Sequence, residues 1–305
     1  MTRTIQVLVP GLWRSAAQAP EVPLPPVLAR IAGRARPEPT VDTGWETELA
    51  HALGFRQPVT GERRWLALPV SLAPGLTDLV ATVVDDVDAG QLEDLWTAAA
   101  AELDLAGAAR EEPFPGLNLL AMAGEGRWEG LPPSVGLGRS MQALRLDSPI
   151  YRRLQVLANN LQMVWFDHPV NQRRVSAGQA PVHGLWLWSP GLPSEPPTVS
   201  RVAGGGLLAR WLSEQAQVAW SADPLDSSAD FTVLDAFLSP RAPARFAGLL
   251  QSLCDDVLSC RIDRLRRDGS VALVLHDPGA ARLRLNRRDW RRFWIRPRGL
   301  VPLPH

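Results

Sequence analysis

Short apolar runs alternate with longer amphipathic segments along most of this 305-residue chain, and this alternation limits the fold more than any other feature. The run Ile5–Val9 ends at Pro10-Gly11 and is typical of a buried strand that leads into a loop. Leu185–Trp188 is a second such run, and it stops at a Ser-Pro-Gly turn. Because strands that alternate with helices form layered folds, we predict an α/β protein with a mixed, mainly parallel sheet flanked by helices.

Helical spacing of apolar residues is clearest in Pro149–Phe166, where we expect Ser148 to cap the helix and Pro149 to take its first position. Two further segments, Gln91–Leu105 and Ala244–Leu265, are each predicted as one continuous amphipathic helix. Shorter helices are predicted at Pro26–Ala32, at Trp45–Leu53 and after Gly204–Gly206. We interpret these three glycines as a flexible entry to a helix, because the spacing of a phosphate-binding loop is absent.

The C-terminal region predicts a hairpin. Val271–Leu275 and Arg282–Leu285 are strand-like and are separated by Asp277-Pro278-Gly279, so we expect an antiparallel pair at the edge of the sheet. The chain length allows one large or two modest domains, and we interpret residues 1–305 as a single α/β domain. The proline-rich segment Ser189–Arg201 (residues 189–201) is the best candidate for a hinge or a boundary.

Composition excludes several classes of protein. The formal net charge is zero, so no global field draws the chain to nucleic acid or to anionic lipid. The only two cysteines, Cys254 and Cys260, lack the spacing of a zinc or redox motif and are expected to be reduced, packed thiols. No apolar stretch is long enough for a transmembrane helix, and the N-terminus lacks the features of a signal peptide. We therefore expect a cytoplasmic protein without a membrane partner.

Two central blocks carry a resemblance to a known family. Leu161–Asn171 (LQMVWFDHPVN) and Pro181–Trp188 (PVHGLWLW) resemble signatures of the RpfE-type regulatory proteins. Val271–Trp294, which ends in D-W-x-x-F-W, is similar to the end of that family, and Trp65–Leu105 resembles it weakly. The family is described as cofactor-independent phosphoglycerate mutase-like, within the alkaline-phosphatase-like superfamily. The resemblance implies a bacterial cytoplasmic protein with an α/β fold.

The chain departs from the family pattern at polar positions. Leu68 and Ser71 stand where the pattern has an aspartate and a histidine, and Asn160 replaces an acid. His183-Gly184 stands where the pattern has Asn-Ser. Since the apolar positions persist, the resemblance implies a retained fold with a changed or lost site. We therefore expect a degenerate, non-catalytic member that acts in regulation or in binding an unknown protein partner, with a homo-oligomer also possible.

An enzyme is the alternative, namely a metal-dependent phosphotransferase or phosphohydrolase with a rearranged site. Such chemistry needs an acid after the first strand and further Asp and His residues that hold divalent metals such as Mn or Mg. The first strand runs into Pro10-Gly11-Leu12-Trp13, without an acid, and Ser15 is the nearest hydroxyl. We predict no catalytic residue and no cofactor. The weak metal candidates are Asp85, Asp86 and Asp88, for which a solvated loop that caps the next helix is the simpler interpretation.

Five residues of the central blocks are candidate ligand contacts. His168, Asn171 and His183 are hypothesised to converge on one pocket, although His168 at a helix end and Asn171 in a turn also have structural interpretations. Trp186 and Trp188 lie two residues apart and therefore on one face of a strand. They form either a stacking wall for a ligand or part of the core.

A basic and aromatic strip lies near the C-terminus, and all the basic residues of the chain are arginines. Its members are Arg282, Arg284, Arg287, Arg288, Arg291, Arg292, Arg296 and Arg298, interleaved with Trp290, Phe293 and Trp294. Such a strip is able to bind nucleic acid through phosphate pairing and base stacking, which is a second alternative function. Because the region Asp78–Glu129 is acidic, charge pairing or an acidic protein partner also accounts for the strip, and nucleic acid is the less favoured partner.

Overall fold

The computed structural model describes residues 3–39, 43–74, 79–126, 130–138, 149–238 and 242–292. The chain divides into two compact units, one made of Met1–Leu53 with Pro196–His305 and the other of Gly54–Glu195. We call them the discontinuous unit and the inserted unit. The second crossing between them falls inside the predicted hinge at residues 189–201. The interpretation of residues 1–305 as a single domain stays a prediction.

Strands and helices are numbered in chain order. The strands are β1 (Arg3–Leu8), β2 (Arg36–Glu38), β3 (Phe55–Arg56), β4 (Thr60–Pro74), β5 (Leu79–Val83), β6 (Ala108–Phe114), β7 (Leu117–Glu125), β8 (Gly184–Trp188), β9 (Leu192–Pro193), β10 (Arg201–Gly204), β11 (Ala219–Ser221), β12 (Phe231–Val233), β13 (Val271–Asp277) and β14 (Ala281–Asn286). The helices are α1 (Leu12–Gln18), α2 (Pro26–Arg34), α3 (Gly44–Ala52), α4 (Ala89–Ala98), α5 (Ala100–Ala106), α6 (Pro133–Gly136), α7 (Pro149–Phe166), α8 (Pro169–Ser176), α9 (Gly206–Gln215), α10 (Ala242–Ser252), α11 (Ser259–Arg267) and α12 (Arg287–Trp290). Within the described residues, no helix is both long and apolar enough to cross a membrane.

The discontinuous unit contains a seven-stranded sheet in the order β11-β10-β12-β1-β13-β14-β2. Strands β11, β10, β12, β1 and β13 are parallel to one another, whereas β14 runs antiparallel to both of its neighbours, β13 and β2. The predicted α/β class, with a mainly parallel sheet and a C-terminal hairpin, is confirmed. The expected place of the hairpin is wrong, because β2 pairs outside β14 and forms the edge.

The core of the discontinuous unit packs helices against β1, β13 and β14. The predicted helix Ala244–Leu265 is interrupted by a π-helical segment, Leu253–Leu258. Leu253, Cys254, Val257 and Leu258 of this segment are all buried. Cys254 and Cys260 are free thiols, and burial raises the pKa of Cys254 to about 11.

The inserted unit is built on an antiparallel sheet in the order β5-β4-β7-β6, with β8 paired to β4. The long strand β4 pairs first with β7, then with β8 and then with β5. Helix α7 has the predicted bounds, whereas Ser148, its predicted cap, lies outside the described residues. The single helix predicted at Gln91–Leu105 is wrong, because the chain breaks at Ala99 into α4 and α5. Trp96 and Trp165 pack edge to face in this core, with ring centroids 5.6 Å apart.

Candidate functional site

Open α/β sheets bind ligands at the carboxyl ends of their parallel strands, so this edge of the discontinuous unit is a candidate site. Strand β1 ends there and leads through Pro10-Gly11 into α1, and β13 ends with His276-Asp277. Strand β10 leads there into Gly205, and β12 is followed by the exposed Asp235. The edge therefore holds one imidazole and two carboxylates, at the end of β13 and just after β12, with β1 between these two strands.

The Asp277 carboxylate holds the turn after β1. Its Oδ1 accepts a hydrogen bond from the Gly11 amide and its Oδ2 accepts one from the Trp13 amide, both at 2.8 Å. Gly11 has a φ of 86°, which favours glycine at this turn. A carboxylate that receives amides at the beginning of a helix is stabilised by charge-assisted hydrogen bonds. Both oxygens of this buried acid are therefore already engaged by the fold.

The neighbouring His276 is almost completely buried. Burial lowers the pKa of its imidazole to about 4, with Arg282 acting in the same direction and Glu48 opposing it. The Nδ1 atom lies 4.0 Å from the Glu48 carboxylate. The imidazole is therefore neutral at pH 7, and it is not a cation that grips an anion.

Glutamates and arginines are balanced beside His276. Arg282 pairs with Glu38 at 3.0 Å and with Glu48 at 3.5 Å. Arg284, which sequence analysis assigned to the basic strip, lies 3.8 Å from Glu38. Two carboxylates thus face two guanidinium groups, so this cluster carries no net charge.

The glycines after β10 form a tight turn, and each has a positive φ. A Cβ on Gly204 would lie 2.3 Å from the Val233 carbonyl oxygen, and one on Gly205 would lie 2.7 Å from the Ala209 Cβ. Close packing of the backbone against β12 and α9 accounts for glycine here. The predicted helix entry is observed at Gly206.

The family resemblance implies divalent metal ions, so the side chains must be tested for them. Among the described residues, no group of three or more His, Cys, Asp or Glu side chains is placed to hold a metal ion. At the carboxyl end of β13, the carboxylate of Asp277 is turned to backbone amides. The described residues therefore do not form a metal centre of the kind that the resemblance implies, and the expected absence of a cofactor stays a prediction.

The inserted unit contains the three polar residues that were predicted to converge. His168 precedes α8, and its Nδ1 accepts a hydrogen bond from the Val170 amide at 3.3 Å. Asn171 is buried. Its side-chain amide donates to the carbonyls of Trp165 and Val182, and its Oδ1 accepts a hydrogen bond from the Val182 amide. His183, which follows Val182, accepts a hydrogen bond from the Leu72 amide at 2.9 Å, and burial lowers its pKa.

Asn171 therefore joins α8 to the end of α7 and to the segment before β8, whereas His168 caps α8 and His183 binds the backbone of β4. Trp186 and Trp188 are 4% and 1% exposed on β8, and the Trp186 indole donates to the Leu131 carbonyl. Both rings are packed in the inserted unit. A ligand-binding role of His168, Asn171, His183, Trp186 or Trp188 is not tested by these placements and stays a prediction.

The acidic candidates follow β5. Asp88 caps α4 by accepting a hydrogen bond from the Gln91 amide, as the simpler interpretation had it, and Asp85 is exposed. Asp86 forms an ion pair with Arg174, which is completely buried on α8. Sequence analysis missed Arg174. Its signal was an arginine in phase with the buried Val170 and Asn171.

The basic strip is divided by the structure. Arg287 and Arg291 line an open groove, Arg288 is exposed, and Arg292 lies 3.5 Å from Asp289. The other predicted members, Phe293, Trp294, Arg296 and Arg298, lie outside the described residues. The groove also contains Arg266 and Arg267 of α11, which sequence analysis did not connect with the strip. Their signal was a run of arginines in the last turn of a helix.

No family model and no curated protein matches the chain. Among solved structures, it is similar to the cofactor-independent phosphoglycerate mutase of Thermoplasma acidophilum DSM 1728, with a TM-score of 0.39, 15% identity and coverage of 94% of this chain and 90% of that one. It is also similar to the PH0037 protein of Pyrococcus horikoshii, with a TM-score of 0.41, 12% identity and coverage of 90% and 81%. Both likenesses are weak, with TM-scores below 0.5.

Proposed function

We propose that this chain is a non-catalytic, RpfE-type protein of the phosphoglycerate-mutase-like class that acts in the cytoplasm by binding a regulatory partner. The observation that carries the proposal is that both carboxylate oxygens of Asp277 accept hydrogen bonds from the backbone of this chain. This acid ends a central parallel strand, where a phosphotransferase would place a metal ligand, yet it receives the amides of Gly11 and Trp13.

The surrounding groups support the same proposal. The imidazole of His276 is buried, and its lowered pKa leaves it neutral. Arg282 and Arg284 together balance the two nearby glutamates, Glu38 and Glu48. A phosphoryl group that approached this edge would meet a balanced cluster and would find no excess of positive charge to stabilise it. Binding of a protein partner does not require an excess of positive charge at this edge.

The test is an assay of metal content and turnover on the purified full chain. Phosphoglycerate and a generic phosphoester are supplied in turn with Mg²⁺, Mn²⁺ and Zn²⁺. We expect no stoichiometric metal and no turnover above a buffer blank, together with a stable complex when the chain is purified under native conditions. Turnover that is lost in His276→Gln and kept in a matched surface variant, His51→Gln, would overturn the proposal.

A further inference from the structure

The groove that contains part of the basic strip lies at the opposite end of β13 from His276 and Asp277. Helix α11 ends just before β13 begins, and α12 begins where the antiparallel strand β14 ends. The open space between them is ≈ 600 Å³. We call it the arginine groove, and its lining residues are Asp263, Arg266, Arg267, Arg287, Trp290 and Arg291.

Positive charge in the arginine groove is not compensated. Arg266 lies 3.6 Å from Asp263, which is the one acid among the described lining residues. Arg267, Arg287 and Arg291 form no ion pair with the described residues. Because the whole chain has a net charge of zero, this excess of three guanidinium groups is local.

Arg287 has a buried guanidinium nitrogen that the described residues leave unpaired. Its Nε is shielded from solvent and has no hydrogen-bond partner among the described residues. The pKa of Asp268 is lowered mainly by Ser270, whose hydroxyl and amide donate to Oδ1, and to a smaller extent by Arg264 and Arg287. That carboxylate oxygen is therefore already engaged. No acceptor of the described chain offsets the positive charge at this N–H, which adds to the positive potential of the groove.

The arginine groove is rigid on the side of α12. Asn286 and Asp289 form a capping box, and the buried Asp289 also pairs with Arg36 at 3.2 Å. The backbone carbonyl of Trp290 accepts a hydrogen bond from Arg34, whose guanidinium lies 5.4 Å from the centroid of the indole ring. These contacts fix the aromatic wall before any ligand arrives, which lowers the entropy lost on binding.

We propose that the arginine groove binds a small organic molecule that carries a phosphoryl group. Guanidinium forks match the geometry of phosphate oxygens, and three uncompensated positive charges suit a dianion. The volume is in the range of pockets for small ligands, and Trp290 supplies an apolar wall for the organic part. This site does not depend on the function proposed for the other end of β13.

Binding is tested on the full chain by calorimetry with two probes, phenyl phosphate and inorganic phosphate. We expect saturable binding of one phenyl phosphate per chain. Arg287→Ala and Arg291→Ala should each weaken it by about 10-fold or more, because each removes charge-assisted hydrogen bonds. Trp290→Leu should weaken phenyl phosphate and leave the weaker binding of inorganic phosphate unchanged.

Arg288→Ala is the matched control, since it removes the same charge from the same helix at an exposed position outside the lining. Its affinity for phenyl phosphate should remain within about twofold of the parent, because an exposed charge is largely screened. Equal losses in Arg288→Ala and Arg287→Ala would show a diffuse electrostatic effect and would overturn the proposal. Absence of saturable binding would also overturn it, as would preference for single-stranded oligonucleotides with a steep salt dependence.

Discussion

At the carboxyl end of β13, the charged side chains are held by partners from the chain itself, whereas at the amino end of the same strand three arginines are not. Asp277 receives two backbone amides, and Arg282 lies between two glutamates. Arg267, Arg287 and Arg291 share one groove, and in the part of the chain that the structure describes its only lining acid, Asp263, lies next to Arg266. Residue types that are common in active sites therefore occur at one end, while the unsatisfied charge occurs at the other.

The comparison teaches that chemistry-bearing residues must be judged by what already engages them. A buried carboxylate that receives two amides contributes to stability and has little capacity left for a ligand. A guanidinium group without an acceptor contributes little to stability and retains its full capacity. The two ends of β13 should thus respond in opposite ways to substitution.

The largest effect is expected for Asp277→Ala. The amides of Gly11 and Trp13 lose their acceptor near the buried turn, so the free energy of unfolding should fall by about 3 kcal/mol. Urea unfolding measures this change. Asp256→Ala, at an exposed position of the same unit, should change it by less than about 0.5 kcal/mol. Equal losses in the two variants would show that the hydrogen bonds of Asp277 do not stabilise the fold, and the contrast between the two ends of β13 would then fail.

A pH titration of stability sharpens the same contrast. The folded pKa of His276 is lowered to about 4, below the ordinary value of 6.5, so the unfolded chain binds a proton first as the pH falls. The contribution of His276 to the free energy of unfolding is then fully present above pH 6.5. It is lost as the pH falls from 6.5 to about 4, and it amounts to about 3 kcal/mol. Urea unfolding at a series of pH values should show this slope in the parent. His276→Gln should show a flatter profile over the same interval, and an unchanged slope would contradict the assignment to His276.

Asn171→Ala extends the comparison to the inserted unit. Its side chain makes three hydrogen bonds with buried backbone groups, so we expect a loss of about 2 kcal/mol in the free energy of unfolding. The neighbouring Gln172 is exposed, and its side chain donates one hydrogen bond, to the Asp167 carbonyl. Gln172→Ala should therefore lower the free energy of unfolding by less than about 0.5 kcal/mol. An Asn171→Ala chain with parental stability would favour the hypothesis that this residue contacts a ligand.

The smallest change in stability is expected in the arginine groove. Arg287→Ala should alter the free energy of unfolding by less than about 0.5 kcal/mol without ligand, because no ion pair is lost. Phenyl phosphate at ten times its Kd should stabilise the parent by about 1.4 kcal/mol and the Arg287→Ala, Arg291→Ala double variant much less. Thermal unfolding with and without the probe measures both. A large loss of stability in ligand-free Arg287→Ala would assign this residue to the fold.

The strong periodic elements were predictable from the sequence. Helix α7 has its predicted bounds because its apolar residues recur in phase over four turns, and the hairpin β13–β14 follows from its turn residues. Strands β10 and β12 were missed, since they span four and three residues and draw their stability from pairing with distant strands. The π-helical segment was also missed, because apolar spacing alone does not reveal a local change of helical pitch.

The sites were less predictable than the fold. Asp277 was interpreted as a turn residue, because its partners Gly11 and Trp13 lie more than 260 residues earlier in the chain. The arginine groove was visible only in part, since Arg266 and Arg267 lie on a different helix from Arg287 and Arg291. Local patterns predict elements, whereas the partners of a charged side chain depend on which elements the topology brings together.

The central position of β1 has a consequence for how the chain is made. Both neighbours of β1 in the sheet come from the C-terminal third, at Phe231–Val233 and Val271–Asp277. Because a chain is synthesised from its N-terminus, this apolar strand is made more than 200 residues before either of its neighbours in the sheet. The contiguous residues Gly54–Glu195 emerge in the meantime and are able to collapse on their own. Chaperone dependence should therefore concentrate on β1, whose edges remain open to aggregation until β12 and β13 have been synthesised.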